Sequence, residues 1–485
     1  MQTSSLKKNS ILNIIYRLSN IIFPLIVYPY ASRILFAENI GKVSFFTSLT
    51  NYMMLIGSLG IYTYGVREIA KVRNNKCALS TLTKELLIIN TVVTVIVLLF
   101  LIILIPFINK FQQNFLLFII CLTQIAIAPF NMEWLYAGLE QYSYIAKRAI
   151  IFKILSIILI FMFVRNREDY VVYAAIIASG YIGGYICNLI HSREFINLNI
   201  KVDLQLKRHI NSVFVLFASL LAINVYTNVN IIMLGFICGD RAVGLYDIAS
   251  KGQYVLLSLI NAISSVLFPR LSFYLSENDI ASYNAILTKS VSIILSIAIP
   301  IAAFLELEAR DIVLVLGGAD YIGAATCMQL LMPILVISGF SNITGNQILL
   351  PHGHDWAFMK AVGLGALVAV ILNAIFMPRF SLYGAAFATL MAEVTQMSVQ
   401  FIYSRKYLKG KIDLVEISKI VFATALSMLI VIYIKKFFVA FPLLNIIVYF
   451  PIYTVLYILC ITVLRGKTIN ELYKQILAFN KSIKS

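Results

Sequence analysis

Long runs of apolar residues follow one another along the whole chain, separated by short polar stretches. Each run has about the twenty residues that a helix needs to cross the hydrocarbon core of a bilayer. The run at 86–105 does not alternate apolar with polar residues, as the strands of a membrane barrel would. The pattern therefore predicts about fourteen transmembrane helices, at 11–32, 43–64, 86–107, 115–137, 149–164, 170–190, 211–235, 252–269, 290–305, 324–346, 361–377, 383–404, 420–434 and 441–464.

Composition agrees with a polytopic, all-α membrane protein. Hydrophobic residues make up 60% of the chain, charged residues make up 13%, and the mean hydropathy is +0.89, which lies far outside the range of soluble domains. The net charge of +17 does not require a nucleic acid partner, because a basic cytoplasmic face meets anionic lipid.

Lys and Arg are distributed unevenly between the two sets of predicted loops. The loops on the side of the termini carry 26 of them and the opposite loops carry 11. The positive-inside rule therefore predicts that both termini are cytoplasmic. The first predicted span reads as uncleaved, because Arg17 interrupts its apolar core and no small-residue cleavage site follows.

An internal repeat organises the chain. The segment from residue 38 resembles the segment from residue 240, with Gly41 matching Gly244 and Arg67 matching Arg270. Six predicted spans separate the copies, so both copies have the same orientation. We therefore predict two six-helix lobes related by a pseudo-twofold axis along the membrane normal. The lobes are assigned to residues 1–210 and 211–410, and residues 411–485 carry two appended spans and a cytoplasmic tail.

Polar side chains on two predicted spans indicate a hydrophilic interior. Arg17 and Asn20 share one face of the first helix with Asn13. Asn224 and Asn228 share a face of the seventh. These groups suit the hydroxyls of sugars, although membrane bundles also use asparagine for ordinary contacts between helices. Both interpretations stay open for each residue.

Charged residues inside the predicted spans are candidate functional groups, because a charge at membrane depth is costly. Glu133, Arg17 and Lys153 all lie near the cytoplasmic ends of their helices. They could receive an anionic substrate there, or they could reach the interface or pair with one another. Glu393 lies nearer mid-membrane, which makes it a candidate for ion coupling or for a buried structural pair.

Signals of enzymatic chemistry are weak. The stretch 465–468, RGKT, lacks the earlier glycine of a phosphate-binding loop. His352, His354 and Asp355 could supply metal ligands, but three ligands in one short loop favour a polar turn. The six cysteines have no paired spacing, so we interpret them as small core residues. We expect a protein that is not an enzyme and needs no cofactor or metal.

Three stretches together carry a set of motifs: FPLIVYPYASRILFAENIGKVSFF, SLGIYTYGVREIAK and NMEWLYAGLEQYSYIAKR. The matching positions are Pro29, Tyr30, Arg33, Gly41, Leu59, Gly60, Arg67, Glu68, Glu133, Trp134, Gly138, Leu139, Glu140 and Arg148. The pattern resembles the polysaccharide repeat-unit flippases of the Wzx type, in the superfamily of the multidrug and toxin extruders and the lipid II flippases. Phe36 departs from it, because a glycine usually follows the leucine there.

The resemblance implies a protein of the inner, cytoplasmic membrane. It implies that an oligosaccharide linked to undecaprenyl pyrophosphate is moved from the cytoplasmic to the outer leaflet for O-antigen or capsule assembly. It adds Arg33 and Arg67 to the substrate-binding candidates, because arginine suits phosphate oxygens. The implied partners are that lipid-linked oligosaccharide, membrane lipids and other polysaccharide export proteins. Two alternatives remain. A multidrug extruder usually has fewer spans and takes cationic drugs, and a polysaccharide polymerase should carry a large extracytoplasmic loop.

Overall fold

The computed structural model describes the backbone of residues 6–200, 203–438 and 441–466. The side chains of these residues are described except at 6–18, 20–22, 218–228, 259, 262–263 and 265–266. The α-helices in these ranges are α1 Leu6–Ser58, α2 Ile61–Val72, α3 Lys76–Leu104, α4 Asn109–Gln113, α5 Phe115–Ile127, α6 Glu133–Gly138, α7 Tyr142–Phe163, α8 Tyr170–Ser192, α9 Lys207–Ile237, α10 Asp240–Ser276, α11 Ile280–Leu307, α12 Ala309–Gly317, α13 Ala324–Leu331, α14 Ile334–Asn342, α15 Asp355–Leu408, α16 Leu414–Lys435 and α17 Pro442–Val463.

The described elements are helical, and eight of them are long and apolar enough to cross a membrane. The most apolar window of Lys76–Phe107 is only 28% buried, and that of Pro442–Val463 only 22%. Apolar surface exposed to this extent is stable only against lipid. The predicted class, an all-α polytopic membrane protein, is confirmed. The count of about fourteen spans stays a prediction.

Two of the longest helices contain a single non-helical residue. Phe36 interrupts α1 with φ 62° and ψ 170°, and Ser381 interrupts α15 with φ 51° and ψ −129°. Both lie in gaps predicted between successive spans. The conformation of Phe36 is one that almost only glycine adopts without strain. The glycine expected from the flippase pattern would therefore form the same turn at lower cost.

The chain divides into two compact units, Met1–Gly244 and Leu245–Ser485. In the first unit, α1 packs against α3, α5, α7 and α9. In the second, α11 packs against α14 and α16, and α15 packs against α13 and α14. Helix α9, which the lobe prediction assigned to residues 211–410, packs on α1 and α2. The predicted boundaries at 210 and 410 and the pseudo-twofold axis stay predictions.

The two glycines matched by the internal repeat touch each other's helices within the first unit. A Cβ added to Gly41 would lie 1.7 Å from the carbonyl oxygen of Asp240, one turn before Gly244. A Cβ added to Gly244 would lie 1.8 Å from the carbonyl oxygen of Ala37, one turn before Gly41. The contact is reciprocal, so α1 and the first turn of α10 cross backbone to backbone, as small residues allow in membranes.

Tyrosines attach α17 to α11 in the second unit. Pro300 lies inside α11 and has no N–H, so the carbonyl of Ser296 lacks its usual helical partner. The Tyr457 hydroxyl donates a hydrogen bond to that carbonyl at 3.0 Å. One turn earlier on α17, the Tyr453 hydroxyl donates to the carbonyl of Pro300 at 2.9 Å. The proline that removes a hydrogen bond from α11 thus leaves a carbonyl oxygen free to accept one from α17.

We expect Tyr457→Phe to destabilise the protein by about 1–3 kcal/mol, because the carbonyl of Ser296 would remain buried without a donor. The measurement is the melting temperature of purified protein in detergent. Tyr433→Phe is the matched control, because Tyr433 lies on α16 with a side chain that is 62% exposed. Equal melting temperatures for the two variants would contradict the proposed role of the Tyr457 hydroxyl.

Candidate functional site

A cavity of about 260 Å³ lies within the first unit, between α1, α7, α8 and the segment that precedes α6. Three of its lining residues are charged: Glu133, Arg148 and Lys153. The rest of the lining is aromatic, amide, hydroxyl, small or aliphatic, and comprises Phe23, Phe152, Tyr181, Tyr185, Asn131, Ser156, Ala149, Gly180, Gly184 and Ile177. The cavity therefore combines charge with aromatic surface inside a bundle whose outside is apolar.

An interruption of the helix places Glu133 in the cavity. Helix α5 ends at Ile127, a 3-10 turn with Pro129 follows, and Met132 adopts the left-handed conformation with φ 42°. Glu133 then begins the short helix α6. The sequence pattern predicted one continuous span over 115–137, whereas the structure interrupts the α-helix between Ile127 and Glu133. The break lets a carboxylate point inward from a segment that is otherwise apolar.

Arg148 is the partner of that carboxylate. Its Nη2 forms an ion pair with Oε1 of Glu133, and its Nη1 donates to the carbonyl oxygen of Gly184 at 3.3 Å. The side chains of Arg148 and Glu133 are 9% and 20% exposed. The pair is therefore largely desolvated, and removing either member alone would leave an uncompensated buried charge.

Lys153 supplies a second cation from the same helix, α7. Its Nζ donates to Oγ of Ser19 on α1 at 2.8 Å. The charge of Glu133 also acts on Lys153. Two cations and one carboxylate therefore line the cavity among the described side chains, which leaves an excess positive charge. That balance favours an anionic ligand.

Small residues on α8 let α7 approach closely. A Cβ added to Gly183 would lie 2.4 Å from the ring of Phe152, and one added to Gly180 would lie 2.8 Å from Oγ of Ser156. The face of α7 that carries Arg148 and Lys153 is consequently held against α8. The position of the charged groups is thus fixed by backbone packing.

Two asparagines, one of them fully buried, border the charged groups. Nδ2 of Asn188 donates to the backbone carbonyl of Asn131, and the Tyr136 hydroxyl donates to the carbonyl of Asn188. The Oδ1 atoms of Asn131 and Asn188 have no hydrogen-bond partner among the described protein groups. Asn131 lines the cavity, and its unpaired Oδ1 is a buried acceptor beside the charged groups.

Of the predicted site residues, Glu133 and Lys153 lie on this cavity. Arg67 lies on α2, where its 57% exposed side chain pairs with Glu68 at 3.0 Å. Arg33 is exposed, and Glu393 is buried in α15 of the second unit. The side chains of Arg17, Asn20, Asn224 and Asn228 lie outside those described. A role in substrate binding stays a prediction for all of these residues.

Arg148 is the cavity residue that sequence reasoning missed. It appeared only as the last position of the motif pattern, at the edge of a predicted cytoplasmic loop, where a basic residue normally needs no explanation. Arg148 lies fifteen residues after Glu133, on the other side of a helix break. That spacing carries no periodicity, so only the folded chain shows the pair.

A second charged cluster joins α2, α3 and α9. Glu85 is fully buried and accepts from Nη2 of Arg208 and from the backbone N–H of Gln205, both at 2.6 Å. Nε2 of His209 lies 3.0 Å from Glu85, and its Nδ1 lies 2.7 Å from the Tyr64 hydroxyl. Each carboxylate oxygen of Glu85 has a hydrogen-bond partner, so we interpret the cluster as a structural connection between the three helices.

The candidate metal ligands in the loop before α15 have other partners. Nε2 of His354 lies 2.9 Å from the Tyr407 hydroxyl, and Nδ1 of His352 lies 2.8 Å from the carbonyl oxygen of Ile348. Burial lowers the pKa of His352 and so favours its neutral ring. Among the described residues, no group of three potential metal ligands comes together.

Comparison with known proteins agrees with this architecture. The sequence profile of the polysaccharide biosynthesis protein family matches residues 6–275, more than half of the chain. The chain therefore belongs to that family, and the resemblance described above is confirmed. A protein of Escherichia coli strain K12 named "Putative O-antigen transporter" is 27% identical over 411 residues, which are 83% of this chain and 98% of that protein. A protein of the same name from Shigella dysenteriae is 25% identical and covers 80% of this chain and 97% of its own length.

Solved structures share the fold. The lipid II flippase MurJ in its inward closed conformation superposes with a TM-score of 0.75 at 15% identity, covering 94% of this chain and 99% of that chain. An inward-facing MATE family multidrug resistance transporter of the MOP superfamily superposes with a TM-score of 0.59 at 16% identity, covering 82% and 94%. At these identities the similarity establishes the fold alone.

Proposed function

We propose that this protein is a flippase that moves oligosaccharides linked to undecaprenyl pyrophosphate from the cytoplasmic to the outer leaflet for surface polysaccharide assembly. The observation that carries the proposal is the cavity in which Arg148 and Lys153 face a single carboxylate, Glu133. Membership of the polysaccharide biosynthesis protein family supports it.

The chemistry of the substrate fits such a site. The lipid tail can remain in the bilayer, so the protein has to shelter only the pyrophosphate and the glycan. Arginine and lysine offer charge-assisted hydrogen bonds to phosphate oxygens. The aromatic side chains that line the cavity offer stacking surfaces for sugar rings. The protein acts as a transporter, and we assign no covalent step to it.

Deletion of the gene in the native host tests this function. We expect surface polysaccharide to disappear while lipid-linked repeat units accumulate on the cytoplasmic leaflet, where an added membrane-impermeant glycosidase cannot reach them. Repeat units that accumulate on the outer leaflet would instead indicate a polymerase. Normal polysaccharide with increased sensitivity to cationic drugs would indicate an extruder and contradict the proposal.

The orientation of the chain gives a separate prediction. We expect both termini and the loop at 65–85 to be cytoplasmic, because the basic residues favour that side. Fusions to a fluorescent protein at the C-terminus and within the loop should fluoresce, and fusions to alkaline phosphatase there should be inactive. An active phosphatase at the C-terminus would mean that the number of spans is odd.

A further inference from the structure

Arg148 has an anionic partner before any substrate enters. Glu133 is the only acidic side chain among the described residues that line the cavity, and it is paired with Arg148. The guanidinium is anchored on its other side, where Nη1 donates to the carbonyl of Gly184. The Nη2 that faces Glu133 is thus the part of Arg148 that a phosphate oxygen would have to reach.

We propose that Glu133 is an exchangeable counter-ion, which occupies Arg148 in the empty cavity and yields it to the pyrophosphate of the substrate. This inference rests on the proposed function and names the residue that binds the phosphate. The empty protein needs such a partner, because an unpaired buried arginine is costly. Glu133 supplies the partner from within the chain.

The released carboxylate has a second cation nearby. Lys153 lines the same cavity and its charge interacts with that of Glu133. Lys153 Nζ also donates a hydrogen bond of 2.8 Å to Oγ of Ser19. Displacement of Glu133 from Arg148 therefore does not require the carboxylate to remain unpaired. This second cation lowers the cost of the exchange.

The exchange gives the site a selectivity that a bare arginine would lack. The surrounding membrane contains many phospholipids with one negative charge, which would occupy an unprotected guanidinium. Glu133 also carries one negative charge and is already positioned, so a singly charged headgroup gains little by replacing it. A pyrophosphate carries more charge and more acceptor oxygens, and it can contact Arg148 and Lys153 together. Specificity then arises because a singly charged phospholipid competes poorly with Glu133 for Arg148.

Binding of farnesyl pyrophosphate to the full chain in lipid nanodiscs tests the exchange. Farnesol and inorganic pyrophosphate serve as probes that lack the charge and the lipid, respectively. In neutral lipid, we expect Arg148→Gln to weaken binding of farnesyl pyrophosphate by about tenfold or more. Glu133→Gln should tighten it by about threefold to tenfold, because a competitor that occupies most of the sites is removed.

Anionic lipid provides the second arm of the experiment. When phosphatidylglycerol is added to the nanodiscs, binding to the wild-type protein should change little, whereas the Glu133→Gln variant should lose its advantage. In a double-mutant cycle, Glu133→Gln should have a much smaller effect once Arg148 is Gln. Glu140→Gln is the matched control, because Glu140 pairs with Arg73 at 2.7 Å on the surface, where both side chains are at least 40% exposed.

The outcomes separate the two proposals. If the wild-type protein binds farnesyl pyrophosphate no better than farnesol, the proposed function fails and the exchange fails with it. If the wild-type protein binds the pyrophosphate but Glu133→Gln leaves binding unchanged or weakens it, the exchange alone is overturned. Monodisperse elution of each variant at the wild-type position confirms that the compared proteins are folded.

Discussion

Consider a strain in which the only copy of the gene encodes both Arg148→Ala and Glu133→Ala. It should accumulate the protein normally and export at most about a tenth of the wild-type surface polysaccharide. The double substitution removes both charges of the buried pair, so neither is left uncompensated. The cavity then lacks the guanidinium that holds the phosphate, although Lys153 remains. The measurement is surface polysaccharide divided by the amount of the protein in the membrane.

The single variants separate folding from transport. Arg148→Ala alone leaves Glu133 with a 20% exposed side chain and no arginine, so protein abundance should fall. The pair Arg73→Ala and Glu140→Ala deletes an equivalent ion pair from the surface, where such pairs contribute little. That control should keep both abundance and export. Full export by Arg148→Ala with Glu133→Ala would show that transport does not depend on the pair.

The charged cavity was predictable in part, because a charge within a membrane span is costly and two of the three charged residues lie within predicted spans. Glu133 and Lys153 stand within long apolar runs, where charge is rare unless it has a use. Their helices were predicted from length and apolar content. The turn at Met132 was not, since a left-handed residue other than glycine leaves no mark on the hydrophobic pattern. Arg148 was missed because it lies at the edge of a predicted cytoplasmic loop, where basic residues are common.

Helices that follow from hydrophobic length were predicted better than contacts between distant helices. The repeat identified Gly41 and Gly244 as equivalent positions, yet no periodicity indicates that they touch. The role of Pro300 was equally hidden, because its missing N–H becomes important only when Tyr457 supplies another donor. Pairings of this kind depend on which surfaces meet after folding, and a single sequence records them only indirectly.

Introducing a side chain at the crossing of α1 and α10 should have the largest effect on folding of any small substitution considered. Gly41→Ala and Gly244→Ala would each place a Cβ less than 2 Å from a backbone carbonyl oxygen, on Asp240 and on Ala37, respectively. Neither oxygen belongs to a flexible side chain, so the helices have to separate. We expect each variant to lose about 3 kcal/mol or more, at the upper end of overpacking costs.

Neighbouring contacts make this separation expensive. Lys110 forms an ion pair with Asp240, and its Nζ also donates to the carbonyl of Gly235 at 2.7 Å. The Phe45 ring packs edge-on against Phe236, with centroids 5.0 Å apart. Moving α10 away from α1 would strain the ion pair of Asp240 directly, and the contacts of Gly235 and Phe236 lie at the end of α9, a few residues before α10 begins. The destabilisation should therefore exceed that of a single local clash.

The reciprocity of the crossing gives a sharper test than either variant alone. Once one alanine has separated the helices, the second meets less resistance, so the double variant should lose much less than the sum of the two single losses. Gly363→Ala is the control, because a Cβ there meets no atom within 4 Å and alanine favours a helix interior. Melting temperature and the yield of monodisperse protein in detergent report the effect. Additive losses, or wild-type stability of either single variant, would mean that the two helices do not cross at these glycines.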